Sequence, residues 1–124
     1  MRVLRVEHSR RRDRYIKTAY TGPYSSLKKW DGLDEMLDEH MNPLTHPSID
    51  DDIRKYLAMD TDWFCGFKNE SDLEKWFGYW RMYLHDAGFV IREYETPIVV
   101  HGDSGRQLVF KITDSKKIKT YSLV

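Results

Sequence analysis

Leu73, Trp76, Phe77, Trp80, Tyr83, Leu84 and Ala87 recur at helical spacing. A stripe this wide and this aromatic must be covered by a broad apolar surface. Ser71-Asp-Leu-Glu74 ahead of it reads as a capping box, and Gly88 stands where a C-terminal cap belongs. The spacing predicts a main amphipathic helix over about 72–87, with Trp76, Phe77 and Trp80 buried together. Tyr79 and Tyr83 run beside the stripe and are expected to be partly exposed, where tyrosine favours contact with another protein.

The cover for that helix is expected from strands. Residues 2–8 alternate around Leu4 and Val6, and residues 15–21 alternate at Ile16, Thr18 and Tyr20 until Gly22-Pro23 ends the run. Trp63-Phe-Cys-Gly-Phe67 reads as a short buried strand with Cys65 an inert buried thiol, and 89–95 as another. Residues 98–101 and 107–112 flank Gly102-Asp-Ser-Gly105 as a hairpin, and 117–123 closes as a last strand. Leu27, Trp30, Leu33, Met36, Leu37 and Met41 predict a second helix, ending before Pro43. Ser48, Ile49, Ile53, Tyr56 and Leu57 predict a third, short one. Strands and helices segregate by region, so the expected class is α+β: a mostly antiparallel sheet packed against the main helix, with two shorter helices. The 124 residues are expected to form a single domain, 1–124.

The formal net charge is zero, from 20 Lys and Arg against 20 Asp and Glu, which disfavours both a uniformly basic nucleic-acid binder and a uniformly acidic mimic. The charges are nevertheless sorted along the chain. Residues 1–30 hold nine Lys and Arg against two Asp and Glu, and residues 31–62 hold two against ten. The two blocks either neutralise each other in the fold or mark two charged surfaces. A lone cysteine, no secretory-type apolar run and no span-length apolar segment point to a cytoplasmic protein without membrane contact.

Few residues carry chemistry on their own. His8, His40, His46, His85 and His101 lack zinc spacing, so no metal site is expected. Asp50, Asp51 and Asp52 point around a helix axis and suit a helix start better than an ion. Glu93 and Glu95 share a strand face, as paired catalytic carboxylates do, but an exposed strand explains them equally. Arg10, Arg11, Arg12 and Arg14 suit phosphate contact or capture of a charged partner, with Tyr15, Tyr20 and Tyr24 near enough in sequence to stack on bases. A solvated basic loop is the plainer reading of the same run.

Arg5-Val-Glu-His8, Gly22-Pro-Tyr24, His46-Pro47, Cys65-Gly-Phe67, Trp76-Phe77, Gly88-Phe89 and Gln107-Leu-Val-Phe110 resemble segments of small phage and prophage proteins of unassigned function. The resemblance implies a phage-encoded accessory protein acting inside a bacterium, a class that includes host-defence antagonists such as anti-CRISPR proteins. A weaker likeness is to a reduced ADP-ribosyltransferase fold. It implies NAD as cofactor, held by Arg5 or His8, with Tyr24 stacking on nicotinamide and Gln107 in place of the catalytic glutamate. Glutamine cannot offer the negative charge that an oxocarbenium-like transition state needs, so enzymatic activity is disfavoured.

The expected function is stoichiometric binding of a bacterial protein or protein–nucleic-acid complex, with Arg10, Arg11, Arg12, Arg14, Tyr79 and Tyr83 as contact residues and no cofactor. An NAD-binding enzyme or remnant using Arg5, His8, Tyr24 and Gln107 is the first alternative. A nucleic-acid-binding accessory protein is the second.

Overall fold

The protein is described by a computed structural model over residues 1–13, 16, 19–24, 30, 32–40, 51–59, 62–105 and 107–124. Arg14, Tyr15, Thr18, Leu27, Met41, Pro43, His46, Pro47, Ser48, Ile49 and Asp50 lie outside the described residues.

The class is α+β, with two antiparallel three-stranded sheets. In the first, β3 (Phe89–Glu95) lies between β1 (Arg2–His8) and β6 (Lys116–Tyr121). In the second, β5 (Leu108–Lys111) lies between β2 (Trp63–Gly66) and β4 (Val99–His101). One bridge joins them: the Leu4 and Phe67 backbones exchange N–H···O bonds of 2.8 Å across the outer edge of β1. Gly66 permits this approach, since a Cβ there would meet Val3 Cγ1 at 2.5 Å and the Leu4 carbonyl at 3.1 Å.

The helices are α1 (Asp34–His40), α2 (Asp51–Met59), α3 (Glu70–Phe77) and α4 (Arg81–Asp86). The predicted continuous helix is therefore interrupted. Residues Gly78–Trp80 form a 3-10 turn between α3 and α4, at the glycine least suited to a helix interior. Its cap also differs from expectation. Asn69, not Ser71, accepts the Asp72 N–H at 2.8 Å and starts the helix two residues earlier. The other two helices start at Asp34 and Asp51. Residues 15–21 were expected to be a strand; the described part is a turn-back, bridged once between Arg12 and Tyr20 and tied by Asp13 N–H to the Ala19 carbonyl at 2.9 Å. The strand at 63–67 is less buried than its aromatic composition predicts, and Cys65 is exposed.

Strand alternation assigns the core. One face of β1 and β3 presents Val6, Phe89 and Ile91 to Trp30, Met36, Phe77, Trp80 and Leu84 on the helical side. The other face presents Val3 and Tyr94 to Leu108 and Phe110 of the second sheet and to Ile112 just after it. Phe77 and Trp80 are buried as expected, while Trp76 is partly buried and packs against the same cluster. Every residue of β6 is exposed, and its lysines guard an open sheet edge. Among the described residues no helix is long and apolar enough to cross a membrane.

Candidate functional site

The register of β1 against β3 sets Arg5 directly opposite Arg92. Like charges so paired repel. Glu7, on the same face and 0% exposed, resolves the conflict. Its Oε2 accepts from Arg5 Nη1, and its Oε1 accepts from the Tyr94 hydroxyl and from Arg92 Nη1 at 3.2 Å. Two guanidiniums against one carboxylate leave one positive charge over. Backbone carbonyls take it up: Tyr20 O accepts from Arg5 at 2.9 Å, while His8 O and Ser9 O accept from Arg92 at 2.8 and 2.9 Å. Aromatic faces complete the shell, with Arg5 over Phe64 at 4.4 Å and Arg92 over Tyr20 at 3.7 Å. Desolvation, and then the Glu7 charge, hold the Tyr94 hydroxyl far above its ordinary pKa, so it stays a donor.

A cleft of about 330 Å³ opens beside this cluster. Arg12 and Lys117 supply its cations, Tyr20 and Tyr94 its aromatic walls, and Thr113 and Ser115 its hydroxyls. Arg12 and Lys117 both lie over the Tyr20 ring, at 4.2 and 5.5 Å from its centroid.

A second surface lies on the far side of the helices. Tyr79 is 74% exposed, Met82 57% and Tyr83 45%. The Tyr79 and Tyr83 rings stack with centroids 6.4 Å apart. This group adjoins the acidic helix α1: Trp80 Nε1 donates to Glu39 at 2.7 Å, and a Cβ on Gly32 would meet the Tyr83 ring at 3.9 Å. Asp34, Glu35 and Asp38 of α1 are exposed.

The basic run has a defined start. His8 Nδ1 accepts the backbone N–H groups of Arg10 and Arg11 at 3.0 and 2.9 Å, which fixes the neutral Nε2–H tautomer. Gly88, at φ +96°, leaves room for that ring. Arg10, Arg11 and Arg12 are exposed, Arg11 over Trp30 and Arg12 over Tyr20. Arg14 lies outside the described residues. Among the described ion pairs, Arg2 and Arg5 turn to Glu93, Glu95 and Glu7, and none joins the basic block to the acids of α1. Glu93 and Glu95 are held by Arg2 and by the N-terminal amine, which accounts for them as strand-face partners.

The residues of the NAD reading are not gathered into one pocket. Arg5 and His8 leave β1 on opposite faces, Arg5 toward Glu7 and His8 stacked on Trp30 at 5.0 Å. The Tyr24 hydroxyl accepts from Trp76 Nε1 at 2.7 Å and is hydrogen-bonded to His40 Nδ1. Its pKa is raised, chiefly by desolvation, although the residue as a whole is partly exposed. Gln107 lies in the β4–β5 loop, where its carbonyl accepts the Gly102 N–H at 2.8 Å. Cys65 has a basic neighbour in space, Arg5, that its sequence context hides. Crowding around the sulfur still pushes the thiol up to about 11, despite the residue's exposed surface. The exposed surface governs access and the raised pKa governs reactivity, so Cys65 is reachable but weakly nucleophilic at neutral pH. Among the described residues no group of His, Cys, Asp and Glu is arranged to hold a metal ion.

The Glu7 cluster and the cleft escape a linear reading because their members come from β1, the 19–21 turn-back, β3 and β6. The one available signal was Glu7 itself, an acid amid the alternation of an apolar strand.

Comparison with known proteins agrees with the first resemblance. A family model described as Bacteriophage T4 Y00F protein matches residues 1–124. No curated protein and no solved structure matches the chain. The chain belongs to the Bacteriophage T4 Y00F protein family.

Proposed function

We propose that this phage-family protein acts stoichiometrically, by binding a bacterial protein through the aromatic and acidic face of α4 and α1. The observation that carries the reading is the exposure of Tyr79, Met82 and Tyr83 side by side. Large aromatics and methionine are favoured at interface centres, and a patch of them in water has no folding benefit. The exposed acids of α1 beside them favour a partner with a basic surface, such as a protein that handles nucleic acid. Antagonism of a host-defence complex is one role of this kind. Arg10, Arg11 and Arg12 are exposed basic residues that steer the encounter electrostatically.

The test is affinity capture from bacterial lysate with the intact protein, set beside the double variant Tyr79→Ala/Tyr83→Ala and the reversal Arg10→Glu/Arg11→Glu/Arg12→Glu. The aromatic variant is expected to weaken capture by at least about tenfold, the scale of an interface anchor. The reversal is expected to slow association and change its salt dependence. Equal capture of the same protein by wild type and aromatic variant would refute the reading.

A further inference from the structure

The cleft beside Tyr20 has a chemistry that the aromatic face does not explain. Three cations gather around one tyrosine ring, Arg92 at 3.7 Å, Arg12 at 4.2 Å and Lys117 at 5.5 Å. Among the described residues that line the cleft, none is acidic. Two buried carboxylates adjoin the lining and both have partners: Glu7 is engaged by Arg5, Arg92 and Tyr94, and Asp62 accepts from Thr113 with Lys111 Nζ 3.9 Å away. The local field is therefore positive, and it lies in a concave, partly apolar setting where charge is poorly screened.

The hydroxyls add a second requirement. Thr113 Oγ1 donates to Asp62 Oδ2 at 2.6 Å, and Ser115 Oγ donates to the Lys111 carbonyl at 2.7 Å. Their protons are committed, so toward the cleft they offer lone pairs only. A fitting ligand thus carries anionic oxygens at one end and hydroxyl or amino donors at the other. The volume of about 330 Å³ is at the small end for ligand sites.

We infer that this cleft binds a phosphate-bearing ligand of mononucleotide size, with Arg12 and Lys117 on the phosphate and Thr113 and Ser115 accepting from the sugar or base. Phosphate on a planar guanidinium and an ammonium is a strong, charge-assisted pairing. Tyr20 holds both cations in place before the ligand arrives, which lowers the ordering cost of binding. The site does not depend on the aromatic interface. Lys117 belongs to the cleft alone, and Tyr79 to the interface alone.

Calorimetric titration of the full chain at low salt tests it, with adenosine 5′-monophosphate, adenosine, inorganic phosphate and a short thymidine oligonucleotide as probes. The monophosphate is expected to bind at least about tenfold more tightly than either adenosine or inorganic phosphate, since each lacks one half of the contacts. Lys117→Met and Arg12→Gln are each expected to weaken the monophosphate by about tenfold, while Tyr79→Ala leaves it unchanged. Lys117 is exposed and in no described ion pair, so its replacement is not expected to alter the thermal midpoint. An oligonucleotide bound through its terminal phosphate should compete with the monophosphate. No binding of monophosphate at millimolar concentration, or binding indifferent to Lys117→Met, would overturn the proposal. So would inorganic phosphate binding as tightly as the monophosphate. Oligonucleotide binding without monophosphate binding would overturn it in favour of an extended basic strip.

Discussion

The two faces of β1 are buried by different physics. On one, Leu4, Val6 and His8 join a layer of aromatic and aliphatic side chains under the helices. On the other, Arg5 and Glu7 are closed into a charged network with Arg92 and Tyr94. The first face is non-directional and tolerates rearrangement within its volume. The second works only if every member is present, because each removed partner strands a buried charge. Residues adjacent in sequence thus differ in how they fail, and the site-bearing face is the brittle one.

The largest expected effect is on that brittle face. Glu7→Gln leaves Arg5 opposite Arg92 with no charge between them, and a loss of about 3–5 kcal/mol is expected in urea unfolding at neutral pH. A loss below about 1 kcal/mol would mean that the two faces do not differ as described. On the apolar face, Leu84→Ala is expected to cost about 3 kcal/mol through its cavity, with little dependence on salt. Unfolding at two ionic strengths checks this, and a salt response as large as that of Glu7→Gln would erase the contrast.

Tyr94→Phe is the smallest change and the sharpest. Loss of a hydrogen bond to a carboxylate is expected to cost about 2 kcal/mol. It also carries a pH signature. The hydroxyl's pKa is raised in the folded protein above the ordinary 10.0, so the folded state holds that proton more tightly than the unfolded chain does. The associated stability is full below pH 10 and declines as pH rises further toward the folded value. Tyr94→Phe should flatten part of that decline in chemical unfolding series above pH 10; an unchanged slope would show that Tyr94 is not the group responsible.

Much of the scaffold was readable from local pattern. The alternation at 2–8 and 89–95 and the helical stripe from Leu73 to Leu84 each bury an apolar face, and such faces announce themselves by period. The break at Gly78 and the cap at Asn69 were harder to read, because Ser71-Asp-Leu-Glu74 offers a competing cap two residues later. The exposure of Tyr79 and Tyr83 followed from their angular offset from the stripe. The cleft was not legible: Tyr20, singled out for base stacking, instead carries Arg12, Arg92 and Lys117, which are brought to it by strand register rather than by sequence proximity. The Arg5–Arg92 opposition likewise exists only once residues 87 positions apart are paired.

That pairing has a consequence in time. β1 leaves the ribosome well before its partner β3, and β6 follows later still. Until then Arg5 and Glu7 lack Arg92 and Tyr94, and the edge of β1 that β3 covers has no strand beside it. Helices α3 and α4 can form early from local contacts, but the sheet that receives them closes last. Folding of this kind is dominated by contacts distant along the chain, which slows it relative to a helical protein of equal size. The nascent chain must therefore hold the β3-facing edge of this strand unpaired until Phe89–Glu95 has been made.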